Sequence, residues 1–203
     1  MKNMKLGFLA SGRGSNMLAI INACKSGKLG AEPVLVISNN KSSGAMDIAR
    51  EENIPSFHLS TDTHPESGSL DEAITRVLKE HRVDLVILAG YMKKIGPVML
   101  KTYKNRILNI HPSLLPKFGG KGMYGMHVHD AVLKSGEKET GVTVHLVNED
   151  YDKGEILAQR RVVVSAGDTG ESLAAKVLKV EHELYVDVLR EISSGEIKLP
   201  VSG

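Results

Sequence analysis

Leu6-Gly7-Phe8-Leu9-Ala10 runs straight into Ser11-Gly12-Arg13-Gly14-Ser15-Asn16, after which Met17, Leu18, Ile20 and Ile21 fall in helical rhythm. A short apolar run that passes through glycines into a 3.6-residue period reads as a buried parallel strand and its crossover helix. The glycines let backbone approach an anion closely, and the free amides and dipole of the helix start favour negative charge there. The spacing lacks the full dinucleotide fingerprint, and no Gly-Lys-Ser/Thr ending marks a nucleoside triphosphatase. A small monophosphate suits the loop better than either. An ordinary glycine-rich βα turn is the alternative.

Working outward, the pattern of apolar run, turn and helical period repeats as far as Ile110. Strands are expected at Leu6 to Ala10, Val34 to Ile37, Pro55 to His58, Leu85 to Ala89 and Ile107 to Ile110, with helices over 16–26, 43–52, 69–81 and 96–103. Successive βα units of this kind build a parallel sheet with helices on both faces. After Pro116 the pattern changes. Residues 117–128 are glycine-rich and aperiodic and read as a loop that lines a site, followed by a short helix from His129 to Ser135. Gly141 to Val147 alternates Val142, Val144 and Leu146 with Thr143, His145 and Val147, as a strand does. Another strand follows at Ile156 to Val164, and the short connection Asn148 to Glu155 implies an antiparallel return. A long helix from Gly170 to Ser194 closes the chain, with Asp168-Thr169 and Glu171 suited to its positive end. The expected fold class is α/β: an open, doubly wound, mostly parallel sheet with an antiparallel C-terminal edge, in one domain over residues 1–203.

Composition narrows the function. Lys and Arg total 26 against 24 Asp and Glu, and a net charge of +2 gives no basis for a nucleic-acid partner. With 8 Met and no Trp there is no aromatic platform for stacked bases. The one cysteine, Cys24, falls in the first helix and precludes an internal disulfide framework, in keeping with a reducing compartment. No apolar run approaches the roughly 20 residues of a membrane span, and Met1-Lys2-Asn3-Met4-Lys5 lacks the apolar core of a signal peptide. The expectation is a cytoplasmic protein that does not engage membranes.

The chemistry concentrates at Asn109-Ile110-His111-Pro112-Ser113-Leu114-Leu115-Pro116. Pro112 pushes His111 toward extended geometry, and two extended residues at i and i+2 project to the same side. An amide that can donate to an oxyanion beside an imidazole that can move protons suits attack on a carbonyl-level carbon. A proline-capped Asn-His turn is the bland alternative. Leu88-Ala89-Gly90-Tyr91-Met92-Lys93-Lys94-Ile95 ends the fourth strand, where open α/β sheets place ligands. Asn148 to Glu155 gathers four carboxylates, any of which could orient a histidine and raise its pKa, or could be surface groups around a tight turn. On the last helix Glu181 shares the apolar stripe of Leu173, Val177, Val180, Leu184 and Val188. It either meets ligand hydroxyls or a cation, or forms a structural ion pair. His127 and His129, with His111 and His145, raise zinc, but no H-E-x-x-H or paired Cys-x-x-Cys supports a metal site. His145 is either a group behind the site or a satisfied histidine on an exposed face.

Taken in order, Gly12-Arg13-Gly14-Ser15-Asn16, Leu88 to Met92, the octapeptide 109–116, Gly141-Val142-Thr143-Val144-His145, and Asp152 with Gly154 resemble the phosphoribosylglycinamide formyltransferases over nearly the whole chain. The octapeptide alone is shared with other 10-formyltetrahydrofolate enzymes, including methionyl-tRNA formyltransferase, over which the early Gly14-Ser15-Asn16 loop favours the glycinamide enzyme. The resemblance implies a Rossmann-like formyltransferase fold and metal-free transfer of the formyl group of 10-formyltetrahydrofolate to the amine of glycinamide ribonucleotide in purine synthesis. It implies Asn109, His111 and Asp152 as catalytic groups. Gly14, Ser15, Asn16, Lys179 and Glu181 would hold the ribonucleotide, and Met92, Lys93, Lys94, Ile95, Asn109, Asn148, Glu149, Asp150, Tyr151 and Asp152 would hold the folate. Partners would be these small molecules alone, acting on a monomer or homodimer. Two departures stand out: the connection Phe118 to His127 is longer than in many relatives, and Lys93 and Ser67 occupy positions where basic folate contacts are expected, Lys93 replacing an Arg of different donor geometry.

Overall fold

The structure is a computed structural model that describes residues 3–200; Met1, Lys2 and residues 201–203 of the expected domain lie outside the described residues. Seven strands form one sheet in the order β3-β2-β1-β4-β5-β6-β7. β1 (Met4–Ala10), β2 (Ala31–Ser38), β3 (Ser56–His58), β4 (Leu85–Leu88) and β5 (Ile107–His111) pair in parallel, and β6 (Glu139–Leu146) and β7 (Ile156–Val163) continue the sheet antiparallel. The helices are α1 (Ser15–Lys25), α2 (Gly44–Glu51), α3 (Ser69–Glu80), α4 (Pro97–Thr102), α5 (Met126–Ser135) and α6 (Gly170–Ser194). The sheet is therefore mixed and doubly wound, as the alternating apolar and helical periods imply.

Strand periodicity sorts the core into two layers. Leu6, Phe8, Val36, Ile87, Leu108 and Val144 pack with Met17 and Ile20 of α1 and Val177, Leu184 and Tyr185 of α6. The alternate residues Leu9, Leu35, Ile37, Val86 and Ile107 pack with Ile74 and Leu78 of α3 and Met99 of α4. That second layer stops at β5. Asn109 and His111 lie on its face, in line with Ile107, and their antiparallel partners His145 and Thr143 share it. The segment from Ser113 to Gly120 covers these polar residues in place of a helix. Thr143 Oγ1 donates to Ser113 O at 2.7 Å and accepts from Leu115 N at 3.1 Å, and Gln159 of β7 donates to Leu115 O at 3.0 Å.

Two expectations change in detail. β6 does not alternate buried with exposed residues: every residue from Thr140 to Leu146 is buried, because α6 covers one face and the 113–120 segment the other. His145 thus has no exposed face. α5 starts at Met126, three residues before the expected start at His129, with Gly125 at φ 54 ahead of it; the glycine-rich approach masks a turn whose Val128 is fully buried. The start of α6 agrees with its reading: Thr169 Oγ1 accepts from Ser172 N at 3.2 Å and Ser172 Oγ accepts from Thr169 N at 3.0 Å, a reciprocal cap.

α6 is fastened to the sheet by one buried hydroxyl. Tyr185 Oη lies 3.0 Å from Leu108 O of β5, the strand that carries Asn109 and His111, and 3.2 Å from Leu88 O at the end of β4. Tyr185→Phe removes this donor while keeping the ring, and the expected loss is about 1–3 kcal/mol of unfolding free energy in a urea titration, with the m-value unchanged.

Candidate active site

The sheet order reverses between β1 and β4, so the chain leaves β1 and β4 on opposite sides and opens a crevice at their C-terminal ends. Loops knit its floor: Ser11 N donates to Gly90 O at 3.1 Å and Met92 N donates to Ser11 Oγ at 2.8 Å. A cavity of about 750 Å³ fills the crevice, within the usual range for a small-molecule site.

Asn16, in the first turn of α1, lines one side and reaches Glu181 of α6, its Nδ2 3.4 Å from Oε2. Asn16 Oδ1 is buried and has no hydrogen-bond partner among the described residues. Gly14 turns α1 with φ 75, and a Cβ there would sit 2.9 Å from the Ala45 backbone of α2, so its glycine is fixed by packing as well as by the turn. Gly14 and Ser15 do not line the cavity, whereas Arg13 beside them does. Lys179 is exposed and also lies off the cavity wall: on α6 the inward-facing positions are Glu171, Ala174, Ala175, Leu178 and Glu181.

Across the cavity Met92, Lys93, Lys94 and Ile95 form one wall, and Asn148, Glu149, Asp150, Tyr151 and Asp152 form another. They meet where Lys94 Nζ lies 5.8 Å from the centre of the Tyr151 ring. Between them Asn109 and His111 project from the end of β5. His111 is 4% exposed; its Nε2 donates to Phe118 O at 2.7 Å, and its Nδ1 stands 3.6 Å from Asp152 Oδ2. Asp152 also accepts from Gly120 N at 2.8 Å, so this carboxylate holds the glycine-rich loop and the imidazole together. Asp152 and Phe118 both adopt φ 55, a left-handed conformation uncommon for residues with side chains. Gly154 completes the turn, since a Cβ there would overlap the Leu146 carbonyl oxygen.

The electrostatics correct one expectation. A carboxylate beside His111 was to raise its pKa, and Asp152 and the Phe118 carbonyl do pull upward, but burial outweighs them and holds the imidazole below its ordinary value. Burial would raise the Asp152 carboxyl, yet His145, His111 and the Gly120 amide together keep it below the usual carboxylate value. At neutral pH the pair is a neutral imidazole beside an anion. Glu181 behaves oppositely: burial pushes it up to about 7, with only Asn16 pulling it down.

Several groups escaped the sequence reading. The Phe118 carbonyl and the Gly120 amide are backbone atoms, invisible as motifs. His129, named above only as a metal candidate, is buried on α5 and lines the cavity with no partner at Nδ1 among the described residues. Arg13 was legible, as the one charged residue between the loop's glycines. Among the described residues no three His, Cys, Asp or Glu side chains are placed together as a metal ion would need.

Comparison with known proteins places this geometry. Residues 4–189 match the formyl transferase family model. A chloroplastic phosphoribosylglycinamide formyltransferase of Arabidopsis thaliana is 44% identical over 97% of this chain and 68% of its own length. The Escherichia coli phosphoribosylglycinamide formyltransferase is 34% identical over 97% of this chain and 90% of its own. The chain belongs to the phosphoribosylglycinamide formyltransferase family. The crystal structure of glycinamide ribonucleotide transformylase 1 from Symbiobacterium toebii superposes with a TM-score of 0.91, at 35% identity, covering 98% of this chain and 91% of that one. The chain spans only about 20% of the trifunctional purine biosynthetic proteins that it also matches. Family membership brings 10-formyltetrahydrofolate as the co-substrate, and among the described residues no helix is long and apolar enough to cross a membrane.

The raised Glu181 acid has a measurable consequence. A carboxyl that binds its proton more tightly in the folded state stabilises most at low pH and loses that contribution as pH rises from about 4.5, the unfolded value, to about 7. Glu181→Gln cannot ionise, so its stability relative to the parent should increase between pH 5 and pH 8, by about 2–3 kcal/mol at most. Urea unfolding at both pH values reads this, and a constant difference refutes it.

Proposed function

We propose that this chain transfers the formyl group of 10-formyltetrahydrofolate to the amine of glycinamide ribonucleotide, as a single domain over residues 1–203, in the cytoplasm, as a monomer or homodimer. One observation carries the reading: Asn109, His111 and Asp152 converge in the same cavity that Asn16 and Glu181 enter from the other side. Family membership supplies the co-substrate, and the cavity supplies room for both molecules.

The ribonucleotide lies along α1 and α6, with its phosphate at Arg13 to Asn16 near the start of α1 and its hydroxyls at Glu181. The folate lies between the Met92 to Ile95 and Asn148 to Asp152 walls. The amine attacks the formyl carbon, a C–N bond forms, and the formyl oxygen becomes an oxyanion that the Asn109 amide receives. His111 is the proton carrier. Its Nε2 proton is committed to Phe118 O, so Nδ1 is the nitrogen open to a proton, and the resulting imidazolium faces the Asp152 carboxylate at 3.6 Å. The proton lost by the amine balances the one gained by folate N10 as the old C–N bond breaks, and tetrahydrofolate leaves. Lys93 and Lys94 stand at the rim, where the anionic tail of the folate emerges, and Lys179 plays no direct part.

Incubation with both substrates should release tetrahydrofolate at a rate that depends on the ribonucleotide, and equal release without it would replace transfer by hydrolysis. Asn109→Ala should lower kcat by roughly 10²–10³-fold with little change in ribonucleotide affinity, as measured by steady-state kinetics and calorimetry. Activity needs neutral His111, so kcat should fall as pH drops through a value below the ordinary histidine value of about 6.5. The Asp152 charge raises that value, and Asp152→Asn should therefore move the acid limb of the pH profile further down while lowering the plateau. An unmoved limb removes Asp152 from proton transfer.

A further inference from the structure

His145 stands directly across from Asn109 in the β5–β6 register and is 2% exposed. Its Nδ1 lies 2.8 Å from Leu146 O, and because a carbonyl oxygen only accepts, Nδ1 carries a proton. In the neutral ring Nε2 is then a lone pair, 3.1 Å from Asn109 Nδ2, and an amide nitrogen only donates. The contact therefore has one polarity, Asn109 to His145. It fixes which end of the carboxamide is nitrogen, and with it the plane in which the second N–H projects.

That choice matters because a primary amide has two ends of nearly equal size and opposite chemistry. Turned over, Asn109 would present its carbonyl oxygen where a donor is needed, and would repel a developing oxyanion. No other side chain makes a hydrogen bond to Asn109 among the described residues. The titratable groups facing the ring are Asp152 from the loop, with Oδ1 3.6 Å from Nε2, and His111 from β5; on β7 the neighbour is Ile156. A second proton on the ring would set N–H against N–H at Asn109 and turn Nε2 toward Asp152. We propose that His145 is a positioning residue for formyl transfer: its Nε2 accepts one Asn109 N–H so that the other addresses the reacting oxygen.

The inference rests on Asn109 being the oxyanion donor, and a double-mutant cycle separates the two claims. kcat and KM are measured for His145→Leu, His145→Gln, Asn109→Ala and the Asn109→Ala/His145→Leu pair, with thermal melts to verify folding. His145→Leu should lower kcat roughly 10–100-fold, short of the loss of the donor itself, and leave the ribonucleotide KM within about twofold. His145→Gln offers an amide oxygen with about the reach of Nε2 and should recover most of the rate. In the Asn109→Ala background, His145→Leu should cost nothing further. His145→Asn, too short to reach Asn109, takes the place of Leu if Leu does not fold. A kcat unchanged in His145→Leu, a loss that persists in full in the Asn109→Ala background, or a folded His145→Gln no better than Leu each overturns the proposal. A wild-type rate in Asn109→Ala would instead overturn the donor assignment, and the role of His145 would fall with it.

Discussion

The antiparallel pairing of β5 with β6 is the constraint on which the site depends, because it sets Asn109 opposite His145 and His111 opposite Thr143 on one face of the sheet. A slip of one residue would bring Val144 and Leu146, which belong to the opposite core layer, onto this face. The register is held from both sides. Val142, Val144 and Leu146 are committed to the α6 layer, while Thr143 is bonded to Ser113 and Leu115. Four polar side chains are thereby delivered to a place where no helix covers the sheet.

Leaving that stretch of sheet without a helix has a physical cost that the structure meets locally. Buried polar groups need partners, and here the backbone of 113–120 and the turn at Asp152 provide them. The Phe118 carbonyl accepts a hydrogen bond from His111, the Gly120 amide donates to Asp152, and Leu115 accepts from Gln159. Glycine is required where these segments approach most closely, as at Gly154 beneath Leu146. The same enclosure that satisfies the groups also tunes them. Burial keeps His111 neutral while Asp152 stays charged, so a proton arriving on the ring meets a counter-ion already in place.

The opposite wall follows a different logic. Glu181 is buried on a helix face that is otherwise apolar, with one weak partner in Asn16, and its carboxyl is correspondingly easy to protonate. Asn16 has an acceptor left over. Two incompletely bonded polar groups thus face the cavity from two helices that pack together. The pocket is therefore asymmetric: one wall has its hydrogen bonds closed and its charges set, and the other has them open.

Strand and helix periods, the glycine-rich exit of β1 and the short connection between β6 and β7 were legible in the sequence, since each depends on residues close together along the chain. So was the Asn109-Ile110-His111 spacing, which an extended backbone turns into a shared direction. The onset of α5 was hidden by its glycines, and the burial of β6 on both faces by a covering segment with no periodicity. The sequence left the partner of His111 open among four carboxylates, and it could not tell that burial outweighs Asp152 in setting the imidazole. Nor could it separate Lys179 from Glu181, or assign His145 to Asn109, which lies 36 positions away. By itself the chain determined its elements and which residues could do chemistry, because local sterics and periodicity decide those. Only tertiary structure decided which of them meet, which way each hydrogen bond runs and which groups are charged, because desolvation and partner geometry arise when distant segments pack.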